Sequence, residues 1–116
     1  MSGYFIKLLR DRCRLSERQA DLLTRGPGDL TSRERREFRR HLQPRLDEFR
    51  AVLEREYLFS VQTDPSTPDR WATQVALVIM GRGYPSYVEN LVIRIVGRGR
   101  VARALERLKG DERLTS

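Results

Sequence analysis

In the run RERREFRR, Arg33, Arg36 and Arg40 recur at intervals of three and four residues, and the tripeptide Gly81-Arg82-Gly83 returns sixteen positions later as Gly97-Arg98-Gly99. Arginine carries a planar fork of donors that suits phosphate and carboxylate bidentately. Glycine lets a backbone come close to a ligand, and the free amides at a following helix N-terminus attract anions. The chemistry within reach is therefore anion recognition. On a helix Arg33, Arg36 and Arg40 share one face and Arg35 and Arg39 another, a rail suited to successive phosphates. Glu34 and Glu37 are interleaved, so part of this charge is expected to be met by neighbours three or four residues away. The plain alternatives are a solvated charged helix face and two ordinary helix ends closed by glycine. Tyr84 and Tyr87, beside the first Gly-Arg-Gly, are the rings best placed to stack on bases.

The charge balance points the same way. The formal net charge is +7, and Lys7 and Lys109 are the only lysines among 23 basic residues, which leaves 21 arginines. An arginine preference also follows from GC-rich coding, so its distribution matters more than its total. Residues 82–116 carry a net +4 and residues 57–81 a net −1. The excess sits in the C-terminal third, where Arg98, Arg100 and Arg103 cluster beside Gly99.

Catalytic chemistry finds little foothold. His41 is the single histidine and has no nucleophile or carboxylate at a motif spacing. The acidic pairs Asp64/Asp69 and Asp111/Glu112 fall in segments that read as a turn and a tail. Cys13 is alone, which excludes an internal disulfide, and it reads as a small buried apolar residue. No Walker loop or metal signature is present, so a non-enzymatic protein without cofactor or metal is expected. The apolar runs fall short of the ~20 residues of a membrane span. The early basic residues of MSGYFIKLLRDRCR do not resemble a signal peptide, and a cytoplasmic location is expected.

The elements that position these residues read as helices. Tyr4–Arg12 is a short amphipathic helix, and Ser16 with Gln19 forms a capping box that opens a second one, stopped at Gly26-Pro27-Gly28. Thr31 and Glu34 open a third, whose apolar stripe Phe38, Leu42, Leu46, Phe49, Leu53, Tyr57 runs to about residue 58. Pro44 interrupts that stripe without shifting its phase, which predicts a kink in a continuous helix. Residues 59–67 read as a connector, with Phe59–Gln62 extended. It separates an N-terminal helical half, 1–58, from a C-terminal one, 68–110, and 111–116 reads as a tail.

Thr67, Pro68 and Asp69 look like a helix start, and residues 68–80, apolar on all sides, predict a buried central helix ended by Gly81. Ser86 and Glu89 open the next, ended by Gly97, and a last helix spans about Arg100–Lys109 with Gly110 as terminator. The fold expected is a single all-α domain, a compact bundle of five to six helices with a kinked long third helix. Its C-terminal half is joined by tight Gly-Arg-Gly turns.

Residues 88–109, a helix, a Gly-x-Gly turn and a helix, resemble in outline the helix-hairpin-helix module, whose turn amides approach a DNA phosphate. That family wants an apolar residue between the glycines and an alanine four positions after the second; Arg98 and Arg103 stand there instead, so no membership is assigned. LSERQADLL followed by LTSRE resembles the start of a LuxR-type helix-turn-helix. The Gly-Pro-Gly breaks that pattern where the helix should still be running. What the residues support is a small basic helical protein that contacts nucleic-acid backbones, DNA or RNA, through Arg82, Gly83, Arg98, Gly99, Arg100, Arg103, Arg33, Arg36 and Arg40. The competing expectation is a helical interaction adaptor that meets an acidic protein surface, as a subunit of a larger complex or as a homo-oligomer.

Overall fold

The computed structural model describes the backbone of residues 3–115 and the side chains of residues 3–111. Seven α-helices follow one another: α1 Gly3–Cys13, α2 Glu17–Leu23, α3 Ser32–His41, α4 Leu46–Thr63, α5 Thr67–Arg82, α6 Tyr87–Val96 and α7 Arg98–Thr115. No strand occurs among the described residues, and with α3 and α4 counted as one kinked helix the described residues form six helices, within the five to six expected. The three capping boxes read from the sequence all form. Ser16, Thr31 and Ser86 accept from the amides of Gln19, Glu34 and Glu89, whose side chains in turn accept from the amides of the capping residues. Each satisfies two of the amides that a helix start leaves free, and loss of such a cap costs about 1 kcal/mol.

Pro44 bends the chain without separating it. The amide of Leu42 still donates to the carbonyl of Phe38 at 2.8 Å, then the ladder tightens to a 3-10 turn over Gln43–Arg45 before α4 resumes. Proline has no amide to give to Arg40, and the tighter turn avoids its ring clash. Because the phase is kept, Phe38, Leu42, Phe49 and Leu53 all point into one core.

Three boundaries and the burial of one helix differ from the sequence reading. Phe59–Gln62 is helical, since α4 continues to Thr63, and the connector shrinks to residues 64–66. The stop is Asp64, which is extended at φ −141°, ψ 98° because Pro65 disfavours helix in the residue before it. The apolar pattern lapsed at Leu58 and Phe59 because these are 62% and 65% exposed; local propensity carries the helix there and not burial. Helix α5 starts one residue earlier than expected, with Ser66 at the N-cap position. It is buried on one face only, through Trp71, Ala72, Val75 and Ala76, while Leu77 is 53% exposed. Helix α7 runs through Gly110, a tolerable interior glycine at about 1 kcal/mol, so residues 111–115 belong to it. Only Ser116 of the expected tail lies outside the described residues.

The core has an aromatic cluster at one end and a stacked pair at another. Trp71 is fully buried, with the rings of Phe5 at 4.9 Å, Tyr57 at 5.2 Å and Tyr4 at 6.0 Å, all edge-on. Edge-on pairs of this kind place positive ring edges on negative faces. Phe38 of α3 stacks on Tyr87 of α6, with centroids 4.1 Å apart. That contact sets α3 beside the C-terminal helices. Cys13 is buried, as expected, and burial pushes its thiol above the usual range.

Candidate anion-binding surface

The acidic residues of α3 do not neutralise the arginines of α3. The Glu34 carboxylate, 7% exposed as a residue, is held by the Thr31 amide at 2.9 Å and by the Arg25 guanidinium at 2.8 Å, with Arg18 at 3.6 Å. The Thr31 amide bond is the largest influence holding its pKa below the usual carboxylate range, and Arg25 and Arg18 add to it. Glu37 pairs with Arg18 at 3.1 Å. Both acids thus turn toward α2, where Arg18 and Arg25 meet them. The expected internal compensation within RERREFRR is replaced by pairing between helices.

The consequence is that the arginines of α3 stay without carboxylate partners, as do Arg14, Arg55, Arg82 and Arg107 elsewhere among the described residues. Arg10, Arg12, Arg18, Arg25, Arg45, Arg50 and Arg70 each have a carboxylate within 4.0 Å. Among the described residues, Arg33, Arg35, Arg36, Arg39 and Arg40 on α3 have none, nor do Arg94 on α6 and Arg98, Arg100 and Arg103 on α7. Arg33, Arg36 and Arg40 project opposite the buried Phe38 and are exposed, so they form the outward rail that their spacing predicts.

The other face of α3 borders a groove that the sequence did not reveal. A recess of about 530 Å³ has Arg35 and Arg39 on its wall, over Phe38, Leu46 and Tyr87. It shares Pro27, Leu46 and Tyr87 with a second recess of about 650 Å³, floored by Leu91, Val101 and Leu105 and bordered by Arg50, Arg94 and Arg98. Of the nine expected contact residues only Arg98 borders this groove; Arg35 and Arg39, read from the sequence as a second face of the α3 rail, stand at its wall, and Arg50 and Arg94 were not anticipated. A signal existed for the first two, since Arg35 and Arg39 flank the stripe of Phe38 and Leu42 and so must sit at the rim of whatever covers it. Nothing in the spacing of Arg50 and Arg94 announced their meeting across α4 and α6.

The two Gly-Arg-Gly segments are not equivalent turns. In the first, the helix runs through Gly81 and Arg82, and Gly83 is the terminator, at φ 99°. That left-handed value is where glycine is strongly preferred. Arg82 donates to the Thr24 carbonyl and lies 5.9 Å over the Tyr84 ring, while the Tyr84 hydroxyl donates to Asp29. The Tyr84 ring covers Gly26 so closely that a Cβ there would stand 2.4 Å from Cε2. This segment is a clasp onto the Gly26-Pro27-Gly28 turn. Tyr84 and Tyr87, read as stacking rings, are engaged by Gly26 and by Phe38 respectively.

In the second segment Gly97 alone separates α6 from α7, at φ 98°, ψ 141°, and Arg98 and Gly99 already belong to the first turn of α7. This leaves no Gly-x-Gly loop of the helix-hairpin-helix outline. A Cβ on Gly97 or Gly83 would meet nothing within 4 Å, so their glycines serve backbone conformation and not close packing. A Cβ on Gly99 would stand 3.6 Å from the Arg103 guanidinium, an ordinary contact, so packing does not require glycine there.

No group of histidine, cysteine and carboxylate side chains among the described residues could hold a metal ion. Among the described residues no helix is long and apolar enough to cross a membrane. Comparison with protein-family models, curated proteins and solved structures gives no match.

Proposed function

We propose that the protein is a non-enzymatic nucleic-acid-binding protein that grips phosphate backbones through two arginine surfaces. One is the outward face of α3, with Arg33, Arg36 and Arg40. The other is the start of α7, with Arg98, Arg100 and Arg103, where the free amides of the first turn add a favourable dipole. The observation that carries this reading is the row of arginines on α3 without carboxylate partners: Glu34 and Glu37 are drawn away to Arg18 and Arg25, and the α3 arginines stay uncompensated. An unpaired, hydrated arginine row releases counterions from a polyanion at little cost to itself. A row locked in ion pairs would first have to break them.

Such contacts position a backbone and read no bases, so binding should be similar across unrelated sequences. Arg82 and Gly83 have a smaller part in this account than their motif implies, because the Arg82 guanidinium is bonded to Thr24. The test is R98Q/R100Q/R103Q against wild type in fluorescence anisotropy on three unrelated oligonucleotides. Affinity should fall by a similar factor on all three. A loss confined to one sequence, or none, speaks against backbone gripping by α7.

A further inference from the structure

The groove between the two arginine surfaces is unlike a phosphate track. Its floor is carbon: Leu46, Leu91, Val101, Ala102 and Leu105 around one side of Tyr87. The ring offers little to a base, because Phe38 already covers its other face at 4.1 Å and is itself 4% exposed. Asp47 stands on the wall beside Arg50, its ion-pair partner at 3.9 Å, so the acids of a docked partner would lie toward the other arginines. The upper rim is cationic, with Arg35 and Arg39 on one side and Arg94 and Arg98 on the other, none of them paired with a carboxylate among the described residues. An apolar floor between unpaired cations complements a partner with an apolar stripe flanked by acids. In helical form that is a face with anchors at i, i+3 or i+4 and i+7 and Glu or Asp beside them.

We propose that this groove docks an acidic amphipathic helix of a protein partner. A second copy of the chain fits poorly, since each copy carries +7 and both rims are cationic. The site is separate from the outward rail of α3, though it shares Arg98 with the α7 surface, and the proposal does not depend on phosphate binding at α3.

The probe is a synthetic, fluorescein-labelled peptide of about four helical turns with Leu on one stripe and Glu on the flanks, titrated with the full chain. Two controls share its length: one replaces each Glu by Lys, the other keeps every Glu and replaces each Leu by Ser. The acidic amphipathic peptide should bind at least about tenfold more tightly than either control, because each control removes one of the two complementarities. Ala102 is exposed at the groove floor, so Ala102→Trp fills the groove from a position whose side chain the fold does not bury. It should weaken the acidic peptide by about tenfold or more, while R33Q/R36Q/R40Q should leave peptide affinity unchanged and lower oligonucleotide affinity.

Equal binding of the Ser control would reduce the effect to bulk charge and overturn the proposal, as would binding that ignores Ala102→Trp or no binding at all. If Ala102→Trp instead weakens an oligonucleotide that competes with the peptide, the groove belongs to nucleic acid. If sedimentation shows a dimer that Ala102→Trp dissociates, it belongs to a second copy. Either result refutes an acidic helix as its occupant.

Discussion

Replacing Arg33, Arg36 and Arg40 together by glutamine removes the outward rail of α3 while keeping helix propensity nearly constant. From Arg33 to Arg40 the helix rises by seven residues, about 10 Å at ~1.5 Å each. One nucleic-acid strand presents a phosphate every ~3.4 Å along the axis of a duplex, so this rail can meet about three. Each phosphate neutralised contributes about 0.9 to the slope of log affinity against log salt on duplex and about 0.7 on single strands. The variant should therefore bind with a slope shallower by about 2.7 on duplex or about 2 on single strands. Between 50 and 200 mM salt, the gap between wild type and variant should narrow by roughly 40-fold on duplex.

Stability should move little. The three side chains are exposed and outside every ion pair among the described residues, and the Thr31–Glu34 capping box is untouched. The cation lost near the end of α3, Arg40, and the one lost near its start, Arg33, act on the helix dipole with opposite signs. The assay is fluorescence anisotropy at four or more salt concentrations with thermal melts alongside. An unchanged slope in a folded variant would refute phosphate contact by α3. A collapse in melting temperature would show that the row is structural after all.

Three further outcomes test the local physics. The Glu34 carboxyl is held below its ordinary range in the fold, so its contribution to stability is complete above the ordinary carboxylate value of about 4 and disappears as pH falls through the lower folded value; melts from pH 7 to pH 3 should show Glu34→Gln less stable than wild type at neutral pH, with the gap closing in acid. Gly83→Ala should cost about 1–2 kcal/mol because of its left-handed φ, whereas Gly81→Ala, inside α5 with open space around its Cβ, should stabilise by about 0.5–1 kcal/mol; chemical denaturation that ranks them the other way would contradict the placement of the terminator. Gly26→Ala must displace the Tyr84 ring and with it the hydrogen bond to Asp29, an exposed bond worth about 0.5–1.5 kcal/mol; a variant as stable as wild type, with an unchanged tyrosine near-ultraviolet signal, would mean the clasp contributes nothing.

Helix identity was legible because it is local. Three capping boxes, the Phe38–Tyr57 stripe and the Pro44 kink each depend on residues within a turn or two of one another, and spacing reports them directly. The register of the glycines was not. Gly81 and Gly97 both open a Gly-Arg-Gly, but the chain takes a different course after each: Tyr84 and Pro85 dock on the Gly26 turn, whereas Arg98 and Gly99 begin a new helix at once. A helix end is chosen by where the chain must go next, which is tertiary information. The ion pairs failed for the same reason. Glu34 and Glu37 had arginines at suitable spacing on their own helix, yet Arg18 and Arg25 reach them from α2 and the turn after it, and in doing so bury Glu34 against its own cap. The groove needs α3, α4, α6 and α7 assembled, and of its cationic rim Arg35, Arg39 and Arg98 stood in recognisable motifs while Arg94 did not.

The central claim is that this chain binds nucleic-acid backbones by charge. It is tested most directly by an electrophoretic titration of the wild-type chain on unrelated duplex and single-stranded oligonucleotides at two salt concentrations. Binding is expected at low ionic strength, with affinities alike across sequences and a log–log salt slope of about 2.7 or more on duplex and about 2 or more on single strands, from the α3 rail with any added contribution from α7. Absence of binding at low ionic strength, or binding that salt does not weaken, would contradict it.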